Sequence, residues 1–197
     1  MRRIGFFGGT FDPPHKGHIN AAVAACDILG LERLLLIPTY IPPHKTRDGN
    51  GATAAQRLEM TTIAAKADPR FLPDAREIER GGNSYTYDTV MSLKAEFPQS
   101  ELWMVCGSDM LATLGKWYRA EDFLKEIKVA AAPRAEGELE DMRQTARLLE
   151  KNFSCEVRLL EIEPIEVSST EIRRGGCLQA LNEIAEYIQK HQLYVGK

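Results

Sequence analysis

The 197-residue sequence lacks the features of several common protein classes. Its four cysteines are widely spaced and form no C-x-x-C pair, so they indicate neither a disulfide framework nor a zinc site; they are Cys26, Cys106, Cys155 and Cys177. No apolar run approaches the roughly 18 residues of a membrane-spanning helix. No signal peptide precedes the first predicted strand. We therefore expect a cytoplasmic protein with no membrane partner and with buried free thiols at Cys26 and Cys106.

The sequence also has no excess of positive charge. It contains 25 Lys and Arg residues and 28 Asp and Glu residues, and the net charge of -3 provides no general attraction to nucleic acid. We expect no nucleic-acid partner, and any basic site must be local. The hydrophobic share of 44% is ordinary for a globular protein, and the length favours a single domain over residues 1–197.

Several motifs of nucleotide and hydrolase sites are missing. The sequence contains no G-x-x-x-x-G-K-[ST], no G-x-G-x-x-G and no G-x-S-x-G. His15 and His18 are spaced like a zinc pair, but no third ligand follows at a suitable spacing and Lys16 would repel a cation. We predict no protein metal site; Asp12 remains open between an indirect metal contact and a cap of the turn.

Apolar strand-like runs alternate with helical patterns along the chain. We predict strands near residues 2–7, 34–37, 71–72, 78, 102–106, 127–132 and 157–162. We predict helices near residues 17–30, 53–67, 84–97 with Ser84 as cap, 120–126, 136–152 and, as a last segment, 178–191. This alternation predicts an α/β fold, a Rossmann-like doubly wound parallel sheet with a C-terminal helical segment. Ligands then bind at the carboxyl ends of the strands, where the winding reverses.

One stretch, residues 5–18 with the sequence GFFGGTFDPPHKGH, combines a strand end, a glycine turn and a helix start. Gly8 and Gly9 end the strand, and the following prolines keep the backbone out of a helix. Backbone N–H groups in such a turn, together with the positive end of a helix, predict a phosphate site. His15 and His18 lie at the helix start and are interpreted as phosphate donors.

Other segments extend this prediction. Pro-Pro-His-Lys occurs at residues 13–16 and again at 42–45, each time after a strand, which predicts that His15, His18 and His44 converge at one sheet edge; chance recurrence of a proline-rich turn is the alternative. The segment SSTEIRR, residues 168–174, offers hydroxyls and arginines at a helix start. It is either an ordinary cap with exposed arginines or, with the first stretch, a triphosphate site.

Two smaller features leave alternatives open. Ser108 and Asp109 follow a strand and either contact a ribose or base or simply cap the next helix. Trp117 and Tyr118 either stack on a flat ring or cover the edge of the core.

Together these motifs resemble the nucleotidyltransferase superfamily with an H-x-G-H signature, which here reads His15-Lys16-Gly17-His18. The order GGTFDPPHKGH, IPTYIPPHK, NSYTYDTV, CGSDML, KWY, APR and SSTEIRR is similar to the family of bacterial nicotinate-nucleotide adenylyltransferases over almost the whole chain. The resemblance implies the reaction of ATP with nicotinate mononucleotide to deamido-NAD and pyrophosphate, in NAD biosynthesis. It also implies Mg2+, held mainly through the ATP phosphates.

The resemblance further implies three sets of site residues and no protein metal ligand. The catalytic set, with the histidines on the ATP phosphates and Lys45 bridging phosphates, is His15, His18, Lys45 and Arg173. The ATP-binding set is Gly8, Gly9, Thr10, Phe11, Gly107, Asp109, Ser169 and Thr170. The mononucleotide-binding set, with Trp117 stacked on the pyridine ring, is Thr39, His44, Thr86, Trp117, Tyr118 and Arg134. Thr39 stands where family members often have Asn.

The chemistry agrees with these residue types. The attacking phosphate is already an anion at neutral pH, so the reaction needs alignment, worth roughly 7–11 kcal/mol, and cationic donors for the leaving pyrophosphate, not a general base. Two alternatives remain. One is a sister adenylyltransferase that uses nicotinamide mononucleotide or another phosphorylated acceptor, and the other is a non-catalytic nucleotide-binding protein of the same fold. A homodimer also remains open.

Overall fold

The computed structural model describes residues 2–43, 51–175 and 180–195 of the chain. In this part, a parallel sheet is formed by β1 (Arg3–Gly9), β2 (Arg33–Pro38), β3 (Phe71–Pro73), β4 (Glu101–Gly107), β5 (Lys128–Ala132) and β6 (Val157–Leu159). The strand order is β3-β2-β1-β4-β5-β6. The chain moves outward from β1 to β3 and then returns to place β4 on the other side of β1. The winding therefore reverses between β1 and β4, which confirms the predicted doubly wound parallel sheet.

The helices connect and cover these strands. They are α1 (Lys16–Leu29), α2 (Ala54–Ala64), α3 (Arg76–Arg80), α4 (Thr86–Glu96), α5 (Ser108–Leu111), α6 (Ala120–Leu124), α7 (Leu139–Phe153), α8 (Ser169–Arg173) and α9 (Asn182–Lys190). Two short 3-10 turns, Ala65–Ala67 and Leu114–Lys116, extend α2 and follow α5. The last helix supplies the predicted C-terminal helical segment.

Local residue choices explain where several helices begin and end. Gly30 ends α1 in the left-handed conformation, with φ of 63°, and its N–H donates to the carbonyl of Cys26. Thr53 caps α2, since its hydroxyl accepts from the N–H of Gln56 at 3.2 Å. Ser168 caps α8 reciprocally with Glu171.

The central strands are buried on both faces. Leu34 and Leu36 enter the cluster that packs α1 onto the sheet, while Leu35 and Ile37 enter the cluster beneath α4, α6 and α7. This alternation explains why β2 is apolar at four successive positions. A third apolar cluster joins α2, α8 and α9, and it packs the C-terminal part of the chain against α2 and α8.

Two local predictions are wrong. Ile78 lies in α3 and not in a strand, because its charged neighbours continue a short helix around it. Ser84 does not cap α4: Tyr85 occupies the cap position, and the Ser84 hydroxyl accepts from the N–H of Tyr40 at 2.8 Å. The Ser84 hydroxyl therefore binds a distant backbone N–H and not the helix end that the sequence predicts.

The thiols and the helix lengths complete the fold description. Cys26, Cys106 and Cys155 are free and buried, and Cys177 lies outside the described residues. Burial raises the pKa of Cys26 to about 11 and that of Cys106 to about 12, so both are neutral thiols. Among the described residues, every helix is too short or too polar to cross a lipid bilayer.

Candidate active site

A cavity of about 1090 Å³ opens at the carboxyl ends of the strands, where the winding reverses. Gly9, Gly107 and Ala132, at the ends of β1, β4 and β5, contribute to its lining. Cavities for drug-sized ligands typically occupy about 300–1,000 Å³, so this one has room for a large ligand.

Every predicted site residue that the structure describes lines this cavity. They are Gly8, Gly9, Thr10, Phe11, His15, His18, Thr39, Thr86, Gly107, Asp109, Trp117, Tyr118, Arg134, Ser169, Thr170 and Arg173. His44 and Lys45 lie outside the described residues. The fold therefore brings the described members of all three predicted sets to one place, while their individual roles stay predictions.

Residues 8–18, which we call the phosphate loop, are fixed by contacts from distant parts of the chain. The guanidinium of Arg57 donates to the carbonyl of Thr10 at 2.8 Å, and that of Arg173 donates to the carbonyl of Asp12 at 2.6 Å. The Ser169 hydroxyl donates to the carbonyl of Pro13 at 2.9 Å. Helix α8 thus lies directly against the phosphate loop, so that the two predicted phosphate elements form one continuous wall.

Arg57 is a site-supporting residue that sequence reasoning missed. It lies in the middle of α2 with 0% exposure, and it also donates to the carbonyl of Tyr40 at 3.2 Å. An arginine within a helical pattern usually indicates a solvated face, so the sequence carries no signal of this role. Its buried guanidinium connects the phosphate loop to the segment that follows β2.

His15 and His18 stack against each other where α1 begins. Their ring centroids are 3.6 Å apart, and the backbone N–H of His15 donates to Nδ1 of His18 at 3.2 Å. Because Nδ1 of His18 accepts this bond, a neutral His18 carries its proton on Nε2. The backbone thus fixes which nitrogen of His18 is the donor.

The surroundings of His15 determine its charge. Burial and, to a lesser extent, the nearby Arg134 lower the pKa of His15 to about 4, while Glu171 acts in the opposite direction. His15 is therefore a neutral imidazole at neutral pH, and its predicted role as a phosphate donor stays a prediction. Its Nδ1 is buried and has no hydrogen-bond partner among the described residues. A neutral ring with one unmatched nitrogen remains able to bind a polar ligand.

Gly17 has a steric reason to be glycine. A Cβ at this position would lie 3.1 Å from the carbonyl oxygen of Ile165 and 3.2 Å from both Nδ1 of His15 and a methyl group of Val167. The start of α1 therefore packs closely against the segment before α8. This contact explains the small residue between the two histidines of the signature.

Asp109 and Arg134 form an ion pair across the cavity wall. Their oxygen and nitrogen lie 2.5 Å apart, and the backbone N–H of Arg134 donates to Glu138 at 2.7 Å. The resemblance places Asp109 on the adenosine side and Arg134 on the mononucleotide side. Their contact indicates that the two predicted subsites meet here.

Aromatic side chains also line the cavity. Trp117 packs against the core and donates from Nε1 to the Thr113 hydroxyl at 3.1 Å, so one edge of its ring is anchored while the residue also lines the cavity. Tyr118 is 51% exposed, and its ring centroid lies 4.6 Å from that of Tyr85. Trp117 thus combines both interpretations of its sequence position, since it covers the core and faces the cavity.

Glu77 is a second residue that the sequence did not reveal. Its carboxyl lines the cavity at 4% exposure, and Oε1 accepts from the Thr89 hydroxyl at 2.6 Å. Within the described part of the chain, Oε2 of Glu77 and Oγ1 of Thr39 have no hydrogen-bond partner. Burial raises the pKa of Glu77 and favours its neutral form.

The carboxylates of Asp12 and Asp109 form contacts within the protein. Asp12 accepts from the N–H of Ala52 at 3.0 Å and from the hydroxyl of Tyr194 at 2.7 Å, and Asp109 faces Arg134. Asp12 therefore makes a tertiary contact and does not cap the turn. Among the described residues, no group of three or more His, Cys, Asp or Glu side chains is arranged to hold a metal ion. This donor set fits a magnesium ion that is held by ATP phosphates and water.

Comparisons with known proteins agree with the geometry. Residues 6–175 match the model of the cytidylyltransferase-like family. A Neisseria meningitidis protein named a probable nicotinate-nucleotide adenylyltransferase is 40% identical over 98% of this chain and 99% of its own length. A Listeria innocua protein of the same name is 34% identical over 98% and 97%. A solved Plasmodium falciparum nicotinic acid mononucleotide adenylyltransferase, in complex with NaAD, has the same fold, with a TM-score of 0.78 at 18% identity over 98% of both chains.

Proposed function

The chain belongs to the cytidylyltransferase-like family and, within it, to the nicotinate-nucleotide adenylyltransferases, and we propose from this premise that it transfers the adenylyl group of ATP to nicotinate mononucleotide. The products are deamido-NAD and pyrophosphate, and the step belongs to NAD biosynthesis. One observation carries the proposal. One cavity is lined both by residues of the phosphate loop and α8 and by Trp117 and Tyr118.

The reaction forms one bond and breaks one bond. A phosphate oxygen of the mononucleotide attacks the α-phosphorus of ATP, and the bond from that phosphorus to the oxygen that bridges the α- and β-phosphates breaks. The electron pair leaves with pyrophosphate. Since the attacking oxygen is an anion at neutral pH, the protein has to align the two phosphates and stabilise the charge of the leaving group.

The phosphate loop and α8 supply the donors for this task. His18 carries its proton on Nε2 when neutral, and α1 directs its positive end toward the loop. Arg173 lies against the loop, so it combines a structural contact with a position at the proposed phosphate site. His15 is neutral before ATP binds; the negative charge of the phosphates favours its protonation afterwards.

Magnesium enters the proposal together with ATP. The ion would be held mainly by the ATP phosphates and not by side chains of this protein, and it would supply neutralisation of phosphate charge. The side-chain contacts of Asp12 and Asp109 are consistent with this arrangement, and the described residues contain no group of three or more His, Cys, Asp or Glu side chains arranged to hold a metal ion.

The acceptor is proposed to lie on the aromatic side. Trp117 offers a ring for stacking on pyridine, and α4 begins at Thr86 in the cavity wall. The positive end of this helix favours an acidic group over a neutral one, which supports the acid mononucleotide over the amide. Because residues from Phe6 to Arg174 line the cavity, we further propose that the chain acts as one domain.

A pyrophosphate-release assay with a panel of acceptors tests the proposal. Purified protein is given ATP with nicotinate mononucleotide, nicotinamide mononucleotide or phosphopantetheine, and an identically purified His18→Ala variant controls for contaminating enzymes. We expect no pyrophosphate from ATP alone and the highest kcat/KM with nicotinate mononucleotide. A higher kcat/KM with another acceptor would identify a sister transferase. ATP binding by calorimetry without turnover on any acceptor would identify a non-catalytic nucleotide-binding protein.

A further inference from the structure

The C-terminal segment reaches back to the phosphate loop. The hydroxyl of Tyr194 donates to Oδ1 of Asp12 at 2.7 Å, although the two residues are 182 positions apart in the sequence. Asp12 is only 7% exposed, and the same oxygen accepts from the N–H of Ala52 at 3.0 Å. This hydrogen bond connects the C-terminal segment with the proposed ATP site.

The Tyr194 contact is the side-chain hydrogen bond to the carboxylate of the loop, beside the backbone hydrogen bond from Ala52. Arg57, Arg173 and Ser169 donate to backbone carbonyls of the loop, at Thr10, Asp12 and Pro13 respectively. Tyr194 instead fixes the side chain of Asp12. The loop is thus held at both its backbone and its one carboxylate, three positions before His15.

The chemistry of the contact favours a strong and persistent bond. Burial and the neighbouring carboxyl of Asp12 raise the pKa of Tyr194, so the phenol remains a donor throughout the neutral range. Hydrogen bonds to a carboxylate are shorter and stronger than those between neutral groups. The ring of Tyr194 packs against the apolar cluster of α2, α8 and α9, which fixes the position of the hydroxyl.

We propose that Tyr194 is a positioning residue for adenylyl transfer: through Asp12 it fixes the phosphate loop in the conformation that receives the triphosphate of ATP. Tyr194 does not line the cavity, so it acts through Asp12 and not by touching the substrate. The inference rests on the proposed function, because the loop is taken as the ATP site. The competing account is that Tyr194 only secures the C-terminal segment.

The chain offers a matched control for the variant Tyr194→Phe. The hydroxyl of Tyr187 in α9 also donates to a carboxylate at 2.7 Å, but its partner is Glu59 on the outer side of α2. Both changes remove one hydroxyl from the same apolar cluster and keep the ring. The two variants therefore share their effect on the C-terminal segment and differ in their effect on the phosphate loop.

Steady-state kinetics separates the two accounts. We expect Y194F to lower kcat/KM for ATP about tenfold or more, with a higher KM for ATP and a lower kcat, while KM for nicotinate mononucleotide stays unchanged. Y187F is expected to remain within about twofold of wild type in kcat/KM for ATP, and urea unfolding establishes that both variants are folded under the assay conditions. Equal kinetics for Y194F and Y187F would overturn the proposal.

A double-variant comparison tests whether Tyr194 acts through Asp12. In an Asp12→Asn background, Y194F is expected to cost less than about twofold in kcat/KM for ATP, since the same bond is already weakened. The same loss in both backgrounds would refute a shared path. If Y194F does not fold, D12N alone decides, and an unchanged kcat/KM for ATP in that variant would contradict the inference.

Calorimetry with a non-hydrolysable ATP analogue distinguishes this inference from the proposed function. Absence of wild-type turnover on all acceptors would remove the proposed function only. The analogue would then decide the role of Tyr194: about tenfold weaker binding by Y194F than by Y187F supports it, and equal binding overturns it.

Discussion

Burial of His15 is expected to make the protein less stable in mild acid. The pKa of His15 falls from 6.5 to about 4 on folding, mainly because the ring is buried and also because Arg134 is near. The unfolded chain therefore binds a proton more readily than the folded protein. The contribution to stability is complete above about pH 6.5 and is lost progressively as the pH falls toward 4. At about 1.4 kcal/mol per pH unit, the loss amounts to roughly 3 kcal/mol.

Urea unfolding of wild type and His15→Asn across this pH range measures the effect. The amide does not titrate. As the pH falls from about 6.5 to 4, wild type is therefore expected to lose roughly 3 kcal/mol more unfolding free energy than His15→Asn. The pKa of Glu77 is raised by burial, so this residue adds to stability as the pH falls. Because Glu77 is present in both proteins, its effect cancels in the difference between their unfolding free energies. His191→Asn is the control, because this histidine is exposed and lies in the C-terminal turn.

Parallel stability curves for wild type and His15→Asn would refute the reasoning. An NMR titration of the His15 ring provides a direct check, with an expected midpoint of about 4 in the free protein. Addition of an ATP analogue is expected to raise that midpoint, because phosphate charge stabilises the imidazolium form.

Three further predictions concern residues at or beneath the same cavity. His18→Ala should lower kcat by about 100-fold or more with little change in the urea midpoint, whereas His191→Ala should leave kcat unchanged; a normal kcat in folded His18→Ala would contradict the donor role. Gly17→Ala should reduce kcat/KM about tenfold or more, because its Cβ would lie 3.1 Å from the carbonyl oxygen of Ile165. Alanine favours a helix over glycine by about 1 kcal/mol, so the expected loss is not one of helix propensity. Unchanged kinetics would show that the contact can relax. Arg57→Met should lower the unfolding free energy by about 3 kcal/mol in urea titrations, since the carbonyls of Thr10 and Tyr40 lose the donor of a partly buried hydrogen bond. A change below about 1 kcal/mol would rule this out.

Much of the fold could be predicted because its signals are local. The four successive apolar positions at 34–37 can be satisfied only where both sides of a strand are covered, and the structure buries all four. Gly30 and Thr53 mark helix ends through their own backbone and side-chain chemistry. Ser84 shows the limit of such signals, because a distant N–H competes for the hydroxyl that the helix end requires.

The residues of the candidate site could likewise be predicted only where their signals are local. The glycines, histidines and hydroxyls of residues 8–18 and 168–174 serve phosphate binding through residue type and spacing, which a sequence displays directly. Arg57 and Tyr194 have no such signature, since their partners lie 47 and 182 positions away. Only the packing of α2, α8 and α9 brings these side chains to the loop.

The sequence by itself determined the alternation of strands and helices, the edge of the sheet at which ligands bind, and the residue types gathered there. The tertiary structure decided the state of those residues: that His15 is neutral, that Asp109 and Arg134 pair, and that Tyr194 contacts Asp12. The physical reason is that residue spacing fixes local geometry, whereas the exclusion of water and the contact of distant charges exist only once the chain has closed around them.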